Sequence, residues 1–252
     1  MTHTYIGQIT HLTRYPVKSM AGETLQRAPI AAYGMYGDRS HALIDNDKEG
    51  WDSFITARQY PHMLSYTASL PDGGGTEAAF PEVQITAPDG RMLHWTDDLL
   101  EELGGFPNRS ISLKRHRPDS KELLSVDAGG LLLITDRSLR KIEERLGGPV
   151  DPRRFRANMM IALSEDAVED EYEWVGSRLH LEDGTVLEVV EPCERCILVT
   201  IDPDTRERNK EVLLAVRDVM SLNFGVYASV IRTGEAAVGD KLYIEKIETV
   251  SI

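Results

Sequence analysis

The chain has 252 residues, with 41 Asp and Glu against 28 Lys and Arg, for a formal net charge of −13 at pH 7. That length allows one large or two closely packed domains, and the acidic balance excludes a nucleic-acid surface, because phosphates are met by clustered Lys and Arg. No apolar run approaches the roughly 20 residues a membrane helix needs, and the N-terminus lacks a charged-then-apolar export signal, so we expect a cytoplasmic protein without a membrane partner.

Residues 5–11 alternate apolar and polar side chains, which predicts a strand. Tyr15-Pro16-Val17-Lys18-Ser19 follows, where the proline biases Tyr15 away from helix and leaves Lys18 just after an extended segment. Gly34-Met35-Tyr36-Gly37-Asp38-Arg39 is a turn feeding a strand at 41–44, and Thr56-Ala57-Arg58-Gln59 ends another short strand. Further strands are expected at 63–70 and 83–86, with Asp89-Gly90 turning the latter into 92–95. Thr96 can cap a helix over 97–103, and 111–114 is the next strand.

The run Gly130-Leu131-Leu132-Leu133-Ile134 is continuously apolar and reads as a buried strand. Leu139, Ile142 and Leu146 then fall at helical spacing before Gly147-Gly148, which predicts a helix over 136–146. Residues 159–163 read as a second buried strand and 164–173 as an acidic, solvated loop. A hairpin through Asp183-Gly184 delivers the chain to Cys193 and Cys196, after which 197–201 reads as a strand, 210–219 as a helix, and 227–231 and 242–244 as the last strands. Short strands joined by turns, with about three helices, argue for a β-rich α+β architecture built on β-barrels.

Several basic residues sit beside turns or strand ends: Lys18, Arg39, Arg58, the Arg153/Arg154/Arg156 cluster and Arg195. On an acidic background, cations converging on one place would mark a small anionic ligand. The two cysteines cannot form a disulfide framework, and in a reducing compartment a Cys-x-x-Cys is more often redox or metal chemistry than a structural bridge. A structural zinc wants four ligands, and neither a second such pair nor a close pair among His3, His11, His41, His62, His94, His116 and His180 supplies them. A thioredoxin-like site wants the pair at a helix N-terminus, whereas 197–201 reads as a strand. Two readings stay open on the residues alone. One is a single thiolate, kept ionised by Arg195 beside Cys196, giving one ligand to a metal held largely by something else. The other is a pair of buried, inert cysteines.

Arg195-Cys196-Ile197-Leu198-x-Thr200-x-Asp202-Pro203-Asp204-Thr205 resembles the signature of the MOSC domain proteins, in particular the mitochondrial amidoxime-reducing component and its bacterial relatives. The resemblance extends to Tyr15-Pro16-Val17-Lys18-Ser19, Gly37-Asp38-Arg39, Thr56-Ala57-Arg58-Gln59, Phe155-Arg156-Ala157-Asn158 and Val238-Gly239-Asp240, in the family's order. It implies an N-terminal β-barrel domain at 1–120 and a MOSC core domain at 121–252. It also implies a molybdenum–molybdopterin cofactor, with Cys196 as the protein's metal ligand and Lys18, Ser19, Arg39, Arg156 and Asn158 contacting the cofactor. Taken singly, Lys18 and Arg39 read equally as surface cations and Asn158 as a residue bonding turn backbone. Cys193 falls outside the ligand position and is assigned to packing or support.

The activity so implied is reduction of N-hydroxylated compounds, hydroxylamines and amidoximes, by oxygen-atom transfer to molybdenum, with Arg195 and Asp127 as candidates for supporting or proton-handling roles. Pyridoxal phosphate has no part in it. No dinucleotide fingerprint, haem motif or spare cysteine is present, so a separate reductase or ferredoxin-type electron donor is expected. The alternative is a protein that stores or hands on the cofactor, or carries sulfur on a cysteine, with little turnover of its own. Two departures stand out: Asp127-Ala128-Gly129-Gly130 replaces an Asp-Thr-Ser-Pro run, leaving only glycine backbone N–H groups to meet an anion there, and Ala157 replaces a proline.

Overall fold

The computed structural model describes residues 3–71, 75–76, 78–104, 106, 109–120, 124–126, 128–167 and 170–247. The first strand, β1 (Thr4–Arg14), turns Ile6, Ile9 and Leu12 into the core and is bulged between Ile9 and His11. After it come β2 (Glu23–Leu25), β3 (Arg27–Ala31), β4 (Gly34–Met35) and β5 (His41–Asp45), then β6 (Thr67–Ser69), β7 (Gln84–Thr86) and β8 (Met92–Leu93), helix α1 (Asp97–Glu102) and β9 (Ile111–Arg115). β5 pairs with β9, and β6, β7 and β8 form a second antiparallel sheet. Between them lies a core of its own, with Val17, Met20, Leu43, Ile55, Met63, Ile85 and Trp95 among its fully or nearly buried members.

The second half supplies β10 (Leu131–Thr135), α2 (Asp136–Leu146), β11 (Met159–Leu163), β12 (Arg178–Leu181), β13 (Val186–Glu194), α3 (Lys210–Met220), β14 (Asn223–Arg232), β15 (Gly234–Ala237) and β16 (Lys241–Glu245). Six of these strands run in the order β11-β10-β14-β13-β12-β16, and β1 pairs with both β16 and β11, which closes a seven-stranded barrel. The first strand thus closes a barrel whose six other strands all lie beyond residue 120, and β2 pairs onto its outer edge in the same sheet. Closure depends on Gly7, at φ +155°, where a Cβ would sit 2.2 Å from the Ala162 carbonyl oxygen of β11.

The interior of the barrel is filled by alternate residues of each strand, Leu131 and Leu133 of β10 among them, with Trp174 fully buried in the same cluster. Leu132 and Ile134 point outward but are covered by α2 and α3, so β10 is buried on both faces and reads as a continuous apolar run. Thr135 caps α2 by accepting from Ser138 N, and Gly147 ends it in the left-handed region at φ 71°. Burying Leu139 and Ile142 of this helix on the barrel contributes about 1.5–3 kcal/mol each.

Three expectations are corrected. Residues 61–65 form a 3-10 turn led by Pro61, which buries Met63 and Leu64, so the strand predicted at 63–70 is only β6. Residues 197–200 are also a 3-10 turn: Thr200 Oγ1 donates to the Ile197 carbonyl at 2.7 Å, because a short apolar run does not distinguish one helical turn from a strand. In the acidic stretch 164–173, Glu171 is not solvated but fully buried, accepting from Thr135 Oγ1 at 2.8 Å and Ser138 Oγ at 2.6 Å at the start of α2. Among the described residues the α-helices number three, and no helix is long and apolar enough to cross a membrane.

Candidate functional site

Between the two cores lies a cleft of about 700 Å³, counting its solvent-open mouth. One wall comes from residues 15–19, zipped onto residues 39–41 by backbone bonds: Arg39 N donates to Tyr15 O at 2.7 Å, His41 N to Pro16 O at 3.0 Å, and Lys18 N to His41 O at 2.9 Å. Asp38 reinforces the zipper by accepting from Tyr15 N at 2.8 Å and pairing with Arg39. Proline at 16 has no N–H to donate, so its carbonyl makes the contact, as the extended sequence reading anticipates.

Five cationic residues line the cleft, Lys18, Arg39, Arg58, Arg156 and Arg195, and no carboxylate does among the described residues. The guanidinium groups of Arg39 and Arg156 lie 4.5 and 4.2 Å from the centre of the Tyr15 ring, and burial holds the Tyr15 phenol above its ordinary pKa, so it is a neutral platform for both. Arg39 also donates to Arg156 O at 3.0 Å, and Arg156 to Met20 O at 2.8 Å. Lys18 is buried, donates to Ser125 O at 3.0 Å and sits 4.2 Å from the Trp51 ring. Three lining residues, Ser19, Arg39 and Arg156, hold left-handed backbone at φ 70°, 48° and 55°. Non-glycine residues in that region cost of order 1 kcal/mol each and persist where the surroundings over-determine them, which is a pattern of binding sites.

Asn158 is buried in the cleft wall: its Oδ1 accepts from Leu132 N at 3.0 Å and from Arg39 Nη1 at 3.4 Å, and its Nδ2 donates to Thr13 O at 3.2 Å. β13 is bulged between Pro192 and Glu194, which buries Cys193 among Phe155, Val199 and Phe224 and leaves Cys196 exposed at the cleft. Arg195 turns away from the thiol: its Nε donates to Phe224 O at 2.7 Å and its Nη1 to Phe155 O at 2.8 Å, while its buried Nη2 has no partner among the described residues. These two bonds tie β14 to residue 155 through the Arg195 side chain. Asp127 lies outside the described residues.

The cleft brings Lys18, Ser19, Arg39, Arg156, Asn158, Arg195 and Cys196 together. It also contains residues the sequence reading did not assign to a site. Thr56 and Arg58 lie in a segment already singled out, Ser125 two positions before Asp127, whereas Tyr227 in β14 carries no local signal at all. A more open pocket of about 800 Å³ adjoins the cleft at Cys196, with Trp51, Arg58, Tyr227, Glu191 and Glu194 on its rim. Of the two glycines whose backbone stood as an anion-binding candidate, Gly129 lines the cleft, and at Gly130 a Cβ would lie 2.3 Å from Tyr33 O.

Family models match two parts of the chain, the MOSC N-terminal beta barrel domain over residues 6–98 and the MOSC domain over residues 121–243. The chain belongs to the MOSC domain family. Among curated MOSC relatives, human mitochondrial amidoxime-reducing component 1 is 26% identical over 296 residues, covering 95% of this chain and 83% of that protein. The molybdenum cofactor sulfurase of Caenorhabditis elegans is 23% identical over 253 residues, covering 88% of this chain but only 33% of its own length. The chain therefore spans about a third of the sulfurase and most of the amidoxime-reducing component. Among solved structures, the YUAD protein of Bacillus subtilis superposes with a TM-score of 0.53 at 14% identity, covering 98% of this chain and 99% of that one, a likeness of fold.

Proposed function

We propose that this MOSC protein binds a molybdenum–molybdopterin cofactor in the cationic cleft and reduces N-hydroxylated compounds. The observation that carries the reading is the cleft itself: in a chain of net charge −13, five cations and no described carboxylate surround a space edged by an exposed cysteine thiol. That donor set suits a group with an anionic phosphate at one end and a thiophilic metal at the other. The names of two relatives, an amidoxime-reducing component and a molybdenum cofactor sulfurase, point the same way.

In this reading Arg39, Arg156 and Lys18 hold the phosphate and polar head, Ser19 and Asn158 fix the backbone around them, and the Cys196 sulfur is the protein's ligand to the metal. When bound, the group supplies the two-electron chemistry that removes oxygen from an N–OH function. The rim pocket at Cys196 would receive the substrate, its Trp51 and Tyr227 side chains meeting a planar amidine and Glu191 and Glu194 favouring the cationic product. Electrons come from a separate reductase or ferredoxin-type donor. The chain divides for this purpose into a region at 1–120 that brings Lys18, Ser19 and Arg39 and one at 121–252 that brings the thiol.

The test is molybdenum and pterin content per chain after expression in a cofactor-replete host, with amidoxime reduction by the chemically reduced protein. Near-stoichiometric metal and pterin, with the metal lost in Cys196→Ala and kept in Cys193→Ala, is the expected result. Neither component in any of the three proteins would remove the cofactor assignment. Full loading without turnover of any N-hydroxylated substrate would favour the second reading, a cofactor or sulfur carrier, which the exposed Cys196 thiol also accommodates.

A further inference from the structure

Away from the cleft, the first and last strands pair. β1 pairs with β16 so that Thr4 faces Ile244 and Tyr5 faces Tyr243, and β16 pairs on its other side with β12, setting His180 against Tyr243 and Arg178 against Glu245. Residues directly opposite in a pleated pair share a face, and so do residues two apart on one strand. By that register His3, His180 and Glu245 all stand on the outer face of the barrel, while Leu179 and Ile244 between them point inward to the core. The His3 and His180 rings stack with centroids 4.0 Å apart, and His180 Nε2 lies 3.0 Å from Glu245 Oε2. One donor atom from each of the three residues lies within 4.8 Å of the other two.

We propose that His3, His180 and Glu245 form a binding site for a borderline divalent transition-metal cation, zinc first, which clasps both ends of the chain to β12. Two imidazoles and one carboxylate are the donor set that such ions take, and three protein ligands leave a fourth position to water. Glu245 is buried, and the 3.0 Å contact between its Oε2 and His180 Nε2 already orients the carboxylate toward the imidazole. Coordination at about 2.0–2.1 Å brings tetrahedral donor atoms to about 3.4 Å from one another, a closure of about 1.4 Å from the widest spacing present.

The stacked rings cannot both direct their in-plane lone pairs at one ion, because their planes are only 23° from parallel. His3 makes the adjustment: it is exposed and rotates toward the ion, while His180 stays half-buried against Glu245. Arg178, opposite Glu245, disfavours a second cation, which sets the affinity below that of a four-ligand structural zinc site. The ion binds only the folded chain, since residues 3, 180 and 245 converge only when the barrel is closed, and it therefore stabilises the fold by mass action.

The test uses the full-length, tag-free chain carrying Cys196→Ser, so that the exposed thiol does not compete for zinc. Competition against a chromophoric chelator is expected to give one zinc per chain. Zinc at about 100 times its Kd raises Tm by about 5–10 °C, and magnesium at the same concentration does not. His180→Ala and His3→Ala each weaken zinc binding at least tenfold and, at the same zinc concentration, cut the Tm rise by about half or more. His3→Ala alters an exposed residue and leaves the core untouched, so it reports even if His180→Ala folds poorly. Absence of zinc binding, or unchanged stoichiometry and Tm response in His3→Ala, overturns the site.

Discussion

Replacing Arg156 by methionine separates what that residue does for the fold from what it does for a ligand. In the folded chain its guanidinium donates to Met20 O at 2.8 Å and lies 4.2 Å from the Tyr15 ring centre. The hydrogen bond is worth about 1 kcal/mol and the ring contact about 0.5–1 kcal/mol, while methionine retains the buried length of the side chain. A loss of about 1.5–2 kcal/mol follows, or about 3–8 °C in Tm for a chain of this size. A phosphate contact by the same group is a charge-assisted bond of about 1.5–3 kcal/mol, so cofactor retention should fall about 10- to 150-fold. Arg156→Lys restores the charge without the planar fork and recovers part of the retention. The assay is molybdenum and pterin per chain after gel filtration at several protein concentrations, beside thermal unfolding of the same samples. A Tm drop of the expected size with retention unchanged in both variants would refute the placement of the phosphate against Arg156.

The remaining expectations concern the cysteines and two buried titrating groups. Cys196→Ser changes an exposed atom and should leave Tm within about 1–2 °C, since surface substitutions stay within about 0.5 kcal/mol, whereas Cys193→Ser puts a hydroxyl into an apolar cluster and should cost about 1–3 kcal/mol by urea unfolding. Burial raises the Glu171 carboxyl above the ordinary glutamate pKa, so the folded state holds a proton the unfolded chain releases. Its contribution is present at low pH and is lost as pH rises from the ordinary glutamate value through the raised one; Glu171→Gln should flatten that decline in urea midpoints. Burial, assisted by Arg115 and His116, pushes His41 down to about 3, so here the unfolded chain binds the extra proton. Stability should therefore fall as pH drops below the ordinary histidine value toward 3, by up to about 1.4 kcal/mol per unit, and His41→Gln should remove that slope. The two slopes oppose each other around pH 5, which is why each is measured in the background of the other variant.

Elements whose ends carry their own chemistry were legible without a structure. Periodicity stopped by Gly147 placed α2, and α3 also lies where it was expected; the structure adds the caps Thr135 and Asn209, the latter accepting from Glu211 N at 3.0 Å, while the cap expected from Thr96 is not formed. Where only apolar content spoke, the reading failed: residues 197–200 form a single 3-10 turn that buries Val199 and Thr200 and leaves Ile197 exposed, which composition alone reads as a strand. Charge misled in the same way at Glu171, because the hydroxyls of Thr135 and Ser138 that accept it into the interior lie over 30 residues away in sequence. Cys196 was legible through its local motif. Arg195 was read for its charge beside the thiol, and its side chain follows the carbonyls of Phe155 and Phe224 instead. His3 and His180 carry no spacing signal and become neighbours only through the β1–β16–β12 register.

The cleft is made by bonds that cross from one half of the chain to the other. Lys18 donates to Ser125 O, Arg39 to Arg156 O, and Asn158 to Thr13 O, so these three wall residues are held by backbone from distant segments. Such bonds fix side chains that would otherwise be long and mobile, and they hold Ser19, Arg39 and Arg156 in left-handed backbone that no local sequence preference favours. Five cations brought together also repel one another, which opposes folding in the absence of an anion. Both effects make the apo cleft the costly part of an otherwise well-packed barrel, and an anionic ligand relieves the repulsion directly. The stabilisation expected on loading is therefore larger than contact counting at the phosphate alone would give, and it should shrink with added salt as the cations are screened.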